Sequence, residues 1–216
     1  MTEFLLIRHG ETDWNRELRF QGQLDVPLNA VGQLQAQRLA SYLRGSDWAS
    51  ALHLHSSDLQ RAWQTATPLS HETRTLQAQP GLREQGFGLF EGLSVPELQQ
   101  QHPELWNQWR RFDADFELPD GESTQRFHGR VMQTLSALAE SNWGERIVVV
   151  THGGVLDMVW RTAHGQSLHG YRQCDIPNAG VNHVIWEDGR WRILAWAEVG
   201  HLQGLPPQPV YQTTSA

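Results

Sequence analysis

Two stretches of the sequence end in the same chemistry. "FLLIRHG", from Phe4, carries four apolar residues into an arginine, a histidine and a glycine. "VVVTHGG", from Val148, carries three valines into a threonine, a histidine and two glycines. Neither apolar run alternates with polar residues, so each reads as a strand buried on both faces. In open parallel sheets, ligands bind outside the carboxyl ends of the strands. Arg8, His9, Thr151 and His152 at such an edge would form a compact cationic site, and the glycines would permit a tight exit and a close backbone approach. An arginine fork beside two imidazoles suits a dianionic group such as phosphate. A single histidine at a strand end is more often a satisfied polar residue than a reacting group; two matching strand ends weaken that bland alternative.

The segments between these strands alternate in type. Asn29 reads as the N-cap of a helix with Ala36, Leu39, Ala40 and Leu43 on its apolar stripe and Gly45 as its stop. "ALHLHSS" (from Ala51) reads as a short strand, "DLQRAWQTATPLS" as a helix with Asp58 near its start, and "TLQAQPGLRE" (from Thr75) as a strand running into a loop. "SVPELQQQHPELWNQWRRF" reads as two helical pieces broken at Pro103. A long helix follows "ELPDGES", with Phe127, Val131, Leu135 and Leu138 in register. "GVLDMVWRTAHG" is the helix after the second strand-histidine junction, and the segment from Val181 to Ala197 is a hairpin turning at Asp188-Gly189. This alternation predicts an α/β fold, a three-layer α/β/α sandwich with a mostly parallel sheet and helices on both faces. One domain is expected over residues 1–204. Within it, the strandless stretch from about 84 to 122 would be a helical cap insertion, and residues 205–216, rich in proline and polar residues, would form a loose tail.

Composition narrows the function classes. The 216 residues, 39% apolar, suffice for a sizeable core. The net charge of −7 argues against nucleic acid or an anionic membrane as a general partner, so an anionic substrate would need a local basic pocket. A single cysteine, Cys174, excludes an internal disulfide and a cysteine-based metal cluster. No apolar run is long enough for a membrane helix, and "MTEFLLIRHG" has an acid where a signal peptide carries bases, so a cytoplasmic protein is expected. Ten tryptophans follow no repeat period. Oligomeric state is left open, although the hairpin offers an edge that could pair.

"LIRHGETDWN" resembles the signature of the histidine phosphatase superfamily, also called the phosphoglycerate-mutase-like family. "RFQGQLDVPLNAVGQLQAQRLA", "HSSDLQRAWQTA", "LREQGFGLFEG", "PDGES" and "VVVTHGG" resemble the family's later segments, in the expected order and over nearly the whole chain before Gly204. The resemblance implies a small phosphorylated substrate and roles for particular positions. His9 matches the nucleophile that takes the phosphoryl group. Arg8, Arg61 and His152 match the groups around the phosphate, and Glu84 matches the general acid and base. Asn15 matches a contact to the phosphoryl oxygens, and Gln21 and Gly22 a substrate-side loop. The physics of phosphoryl transfer is compatible: it needs an in-line nucleophile and stabilised equatorial oxygens. Neighbouring arginines would keep His9 neutral, and two arginines with a histidine would supply positive charge without a metal or other cofactor.

The family holds phosphatases and mutases. Its glycolytic mutases carry an arginine where this chain has Gln85, and a lysine about ten residues later where "FEGLSVPE" has none. Arg110 and Arg111 resemble a pair that mutases use, while "PDGES" fits the phosphatase branch. The expected function is therefore metal-independent hydrolysis of a small phosphorylated metabolite through phosphohistidine. A phosphomutase is the alternative, and a catalytically weak phosphate-binding regulatory protein is the alternative of another class. Other residues attract simpler readings. His53 and His55 share a strand face but have no partner ligand nearby in sequence. His164 and His169 lack zinc spacing. Trp106 and Trp109, at i and i+3, are expected to pack the cap onto the body, with substrate stacking as the rival. Glu11 is expected to pair with an arginine, and Glu122 to orient a phosphate-site residue or cap the helix that follows.

Overall fold

The computed structural model describes residues 1–208. Its centre is a six-stranded sheet of β1 (Thr2–Arg8), β2 (His53–Ser56), β3 (Leu76–Ala78), β4 (Arg146–Thr151), β5 (Val181–Glu187) and β6 (Arg190–Glu198), in the order β3-β2-β4-β1-β5-β6. The pairs β3-β2, β2-β4 and β4-β1 are parallel, and β5 is antiparallel to both β1 and β6. All strands but β5 therefore run in one direction, as expected. The hairpin turns at Asp188 and Gly189, both with positive φ (50° and 75°), which Asp-Gly accommodates.

The buried strands send alternate side chains to opposite faces, and each face meets its own helices. Leu5, Ile7, Val148 and Val150 pack with Leu39 and Leu43 of α2 (Ala30–Arg44) and Ala62 and Ala66 of α3 (Gln60–Ala66). Phe4, Leu6, Ile147 and Val149 pack with Phe127, Val131 and Leu135 of α6 (Thr124–Ser141) and Val155 and Val159 of α7 (Gly153–Ala163). This two-sided burial explains why β1 and β4 are continuously apolar. Asn29 caps α2 by accepting from the Gly32 amide at 2.9 Å. Asp58 does not cap α3: it forms an ion pair with Arg83, and Asp25 accepts from the Gln60 amide at 2.7 Å instead. Short α1 spans Asp13–Arg16.

The expected cap contains α4 (Val95–Gln101) and α5 (Pro103–Trp109), divided at Pro103. It has a core of its own, in which Phe90, Leu98 and Leu118 are buried against Phe20, Phe87, Trp106 and Trp109. The expected loose tail needs correction at its start. The Gln208 side chain accepts from the Asn178 amide at 2.6 Å and donates to the Asn178 carbonyl at 2.8 Å, a two-point contact that anchors this part of the chain. The rest of the tail, 209–216, lies outside the described residues. Among the described residues, no helix is long and apolar enough to cross a membrane.

Candidate active site

The β1–β4 register aligns Arg8 with Thr151, so the next residues, His9 and His152, leave the sheet side by side. The His9 amide donates to Thr151 O at 2.8 Å, and the two imidazole centroids lie 5.2 Å apart. Ser57 joins them because β2 also ends here: its amide donates to Val150 O, and its hydroxyl lies 2.8 Å from His152 Nε2. Three parallel strand ends thus converge on one point.

His9 Nδ1 lies 2.7 Å from Gly10 O. A carbonyl can only accept, so Nδ1 carries the proton and Nε2 presents its lone pair. Burial, then Arg61, then Arg8 hold the His9 pKa well below the usual histidine value. Burial and the same arginines lower His152 likewise. Both imidazoles are therefore neutral at physiological pH.

Arg61, fully buried at the start of α3, donates to Gly22 O at 2.6 Å and Leu24 O at 2.9 Å. Burial pushes its guanidinium down to about 10, which leaves it charged at neutral pH. Its Nε and His152 Nδ1 are buried without a hydrogen-bond partner among the described residues, a cost that an anionic ligand would offset. Arg8 donates to Ile176 O at 2.6 Å. Asn15, buried, forms a capping box with Thr12 at the start of α1. Gln21 accepts from the Thr12 hydroxyl at 3.1 Å. Gly22 has φ +51°, and a Cβ there would fall 2.0 Å from Glu91 Oε1, so only glycine fits.

Glu84 reaches the site from the loop after β3. Its Oε2 accepts from the Gly154 amide at 3.0 Å and its Oε1 from the Gln85 amide at 2.9 Å. A Cβ on Gly154 would lie 2.1 Å from Glu84 Oε1, which explains the second glycine of "THGG". Glu122 does not cap α6, since Ser123 does so by accepting from the Arg126 amide. It grips Arg130 at 2.7 Å, and Arg130 donates to the carbonyls of Gly81, Arg83 and Glu84. Through Arg130, Glu122 is linked to the backbone of the loop that carries Glu84 rather than to a residue of the expected phosphate site.

Arg8, His9, Asn15, Gln21, Gly22, Arg61 and Glu84 line one cavity of about 1140 Å³ beneath the cap; His152, fully buried beside His9, is not among its described lining residues. Trp106 and Trp109, stacked at 5.4 Å between centroids, both pack the cap and face this cavity. Arg110 and Arg111 are exposed and are not among its described lining residues. Glu11 pairs with Arg16 at 2.6 Å, as expected. His55 Nδ1 accepts from Gln79 Nε2 at 3.1 Å. Among the described residues, only Asp113, Asp115 and His169 gather three possible metal ligands, all exposed, and His169 Nδ1 already accepts the Ala114 amide.

Sequence reasoning missed Ser57, Arg130 and Asn178. Asn178 Nδ2 donates to His9 O at 3.0 Å and lies 3.3 Å from Asn15 Oδ1. Ser57 follows β2 directly, so the strand-end rule that selected His9 would have found it. Asn178 precedes β5, and an antiparallel strand begins at the edge where its parallel neighbours end.

The chain matches the model of the histidine phosphatase superfamily (branch 1) over residues 4–199. It is 37% identical over 205 residues to phosphoglycerate mutase-like protein 4 of Arabidopsis thaliana, covering 93% of this chain and 87% of that protein. It is 36% identical over 208 residues to a metal-independent phosphoserine phosphatase of the same plant, covering 95% and 85%. The solved structure of Bacillus stearothermophilus YhfR superposes with a TM-score of 0.86 at 25% identity, covering 94% of this chain and 100% of that one. With the family model spanning nearly its whole length, the protein belongs to the histidine phosphatase superfamily and is an enzyme of the phosphatase class.

Proposed function

We propose that the protein hydrolyses a small phosphorylated metabolite without a metal ion, through a phosphohistidine on His9. In the first step, His9 Nε2 forms a bond to phosphorus as the ester P–O bond breaks, and Glu84 gives its proton to the departing oxygen. In the second, Glu84 takes a proton from water, the water oxygen bonds to phosphorus, and the N–P bond breaks to free His9. Arg8, Arg61 and neutral His152 surround the phosphoryl oxygens, with Asn15, Gln21 and Gly22 on the substrate side. The observation that carries this reading is the His9 Nδ1 contact to Gly10 O beside two arginines. It gives a neutral nucleophile with its reactive nitrogen fixed.

The relative named as a metal-independent phosphoserine phosphatase supports hydrolysis. The relative named mutase-like keeps phosphoryl return to substrate as the rival. The exposed positions of Arg110 and Arg111, together with Gln85, favour hydrolysis. The net charge and the single cysteine support a cytoplasmic setting with no nucleic-acid or membrane partner.

The test is to mix the enzyme rapidly with substrate in excess chelator and quench it. An acid-labile, alkali-stable phosphoenzyme that His9→Ala cannot form is expected, together with undiminished turnover. Dependence on added magnesium or zinc would overturn the mechanism. Isomerisation of 3-phosphoglycerate faster than phosphate release from the best substrate would return the assignment to mutase.

A further inference from the structure

The loop between α7 and β5 brings another cation to the cavity. Arg172 lines it, on the wall that also carries Gly153 and Asp157. A Cβ built on Gly153 would lie 3.5 Å from Arg8 Nε and 3.6 and 3.7 Å from the two terminal nitrogens of Arg172. The Arg172 guanidinium thus shares a short stretch of cavity wall with a phosphate-site arginine, although the two charges repel.

The nearest acid, Asp157, is shared between Arg172 and a second, closer arginine. Asp157 is held at 3.0 Å by Arg161, whose remaining donors go to the carbonyls of Ser167, His169 and Gly170. Arg172 Nε and Asp157 Oδ1 form a long ion pair at 4.0 Å, beyond hydrogen-bond range, and the Arg172 side chain is 36% exposed. Glu122 is engaged by Arg130, and Glu84 by two backbone amides. Yet the loop is well placed. Ile176 accepts from Arg8 at 2.6 Å, the Gly170 amide donates to Phe112 O at 3.0 Å, and Tyr171 packs on Phe112 at 4.3 Å between centroids. Arg172 is therefore suspended between the phosphate site and the cap, in a cavity larger than a phosphate group needs.

We propose that Arg172 is a specificity residue that binds a carboxylate on the organic part of the substrate. The phosphate takes Arg8 and Arg61, and the carboxylate takes Arg172 through a charge-assisted pair of hydrogen bonds. The second negative charge also relieves the repulsion between Arg172 and Arg8. This assignment rests on the hydrolase reading for its context, but binding tests it separately from turnover.

The experiment compares 3-phosphoglycerate with glycerol 3-phosphate, which differ by a carboxylate in place of a hydroxymethyl group. Calorimetric binding is measured on His9→Ala, so that both esters persist, and on the same background with Arg172→Gln and Arg172→Lys. The parent enzyme is assayed for phosphate release from both. On His9→Ala, 3-phosphoglycerate is expected to bind about tenfold or more tighter. Arg172→Gln collapses that ratio toward one, and Arg172→Lys keeps part of it. Equal binding before Arg172 is changed, or a preference that survives Arg172→Gln, overturns the proposal. A preference without hydrolysis of either ester sinks the hydrolase reading and leaves Arg172 its role; hydrolysis without a preference does the reverse.

Discussion

His9 Nδ1 is 2.7 Å from the carbonyl oxygen of Gly10, its own neighbour in the chain, and this contact decides which imidazole nitrogen can react. Because the proposed nucleophile is fixed by such a local contact, its removal should leave the surrounding arginines in place but stop the chemistry. His9→Ala is expected to lower turnover of p-nitrophenyl phosphate by at least about a thousandfold, about 4 kcal/mol of barrier. A variant that retains activity would relocate the nucleophile.

With His9 as the proposed nucleophile, its depressed pKa is expected to set the acid limb of the pH profile. Only the neutral imidazole attacks, and burial with Arg61 and Arg8 postpones protonation to well below the usual value. The enzyme should therefore keep kcat/KM as the pH falls through 6.5, after allowing for the ester's own ionisation near about 6. Arg61→Gln removes the larger of the two charge effects, so its acid limb should move upward. An acid limb in the parent at an ordinary histidine pKa would contradict the site electrostatics.

Stability carries the same sign. The unfolded chain protonates its histidines near about 6.5. In the folded protein burial holds His9 and His152 well lower, and burial with His53 nearby puts His55 at about 4. Between these values the unfolded state binds more protons, so the unfolding free energy should decline from about pH 6.5 to about pH 4, by at most ~1.4 kcal/mol per pH unit for each histidine. Urea unfolding across that range should show a shallower decline for His55→Gln than for the parent. Identical slopes would remove His55 from the account.

Glu84 serves both halves of the proposed reaction, and the leaving group separates them. Nitrophenolate departs without help, whereas an alkoxide needs a proton. Glu84→Gln should thus slow an alkyl phosphate at the first step. With p-nitrophenyl phosphate it should give a burst followed by a slow steady rate. Parental activity on both substrates would move the acid–base role to another carboxylate, Glu11 or Glu122 first.

Arg130 is a positioning residue on the same axis. It joins Glu122 to the backbone of Gly81, Arg83 and Glu84, so Arg130→Ala should loosen the loop that presents the carboxylate. We expect kcat for an alkyl phosphate to drop about tenfold or more while p-nitrophenyl phosphate is less affected, with Arg130→Lys recovering little because the fork is lost. Equal losses on both substrates would indicate a general structural role.

How far the site was legible follows from how each residue is held. His9 and His152 stand at the ends of unbroken apolar strands, and the one-to-one register of β1 and β4 makes such ends coincide. Helix boundaries at Asn29 and Pro103 were legible because caps and prolines act locally. Arg61 and Glu84 were placed by resemblance to a family, since nothing in their immediate sequence distinguishes them from surface charges. Arg130, Arg172 and Asn178 lie on a helix flank or in loops, where tertiary contacts alone assign a task. Gln208 sits among prolines and polar residues whose composition indicates looseness, yet one side-chain amide fastens it to Asn178.

The strand order has a consequence for synthesis on the ribosome. Of the six strands described, β1 is made before the others, but its two neighbours, β4 and β5, begin only at Arg146 and Val181. Until most of the chain has emerged, "FLLI" has neither edge paired and neither face covered by its final sheet partners, which is the condition that invites wrong pairing between nascent chains. During that interval the segment is exposed to such pairing unless early packing, for instance against α2, covers it. His9, the proposed nucleophile, is translated well before the strands that complete its surroundings.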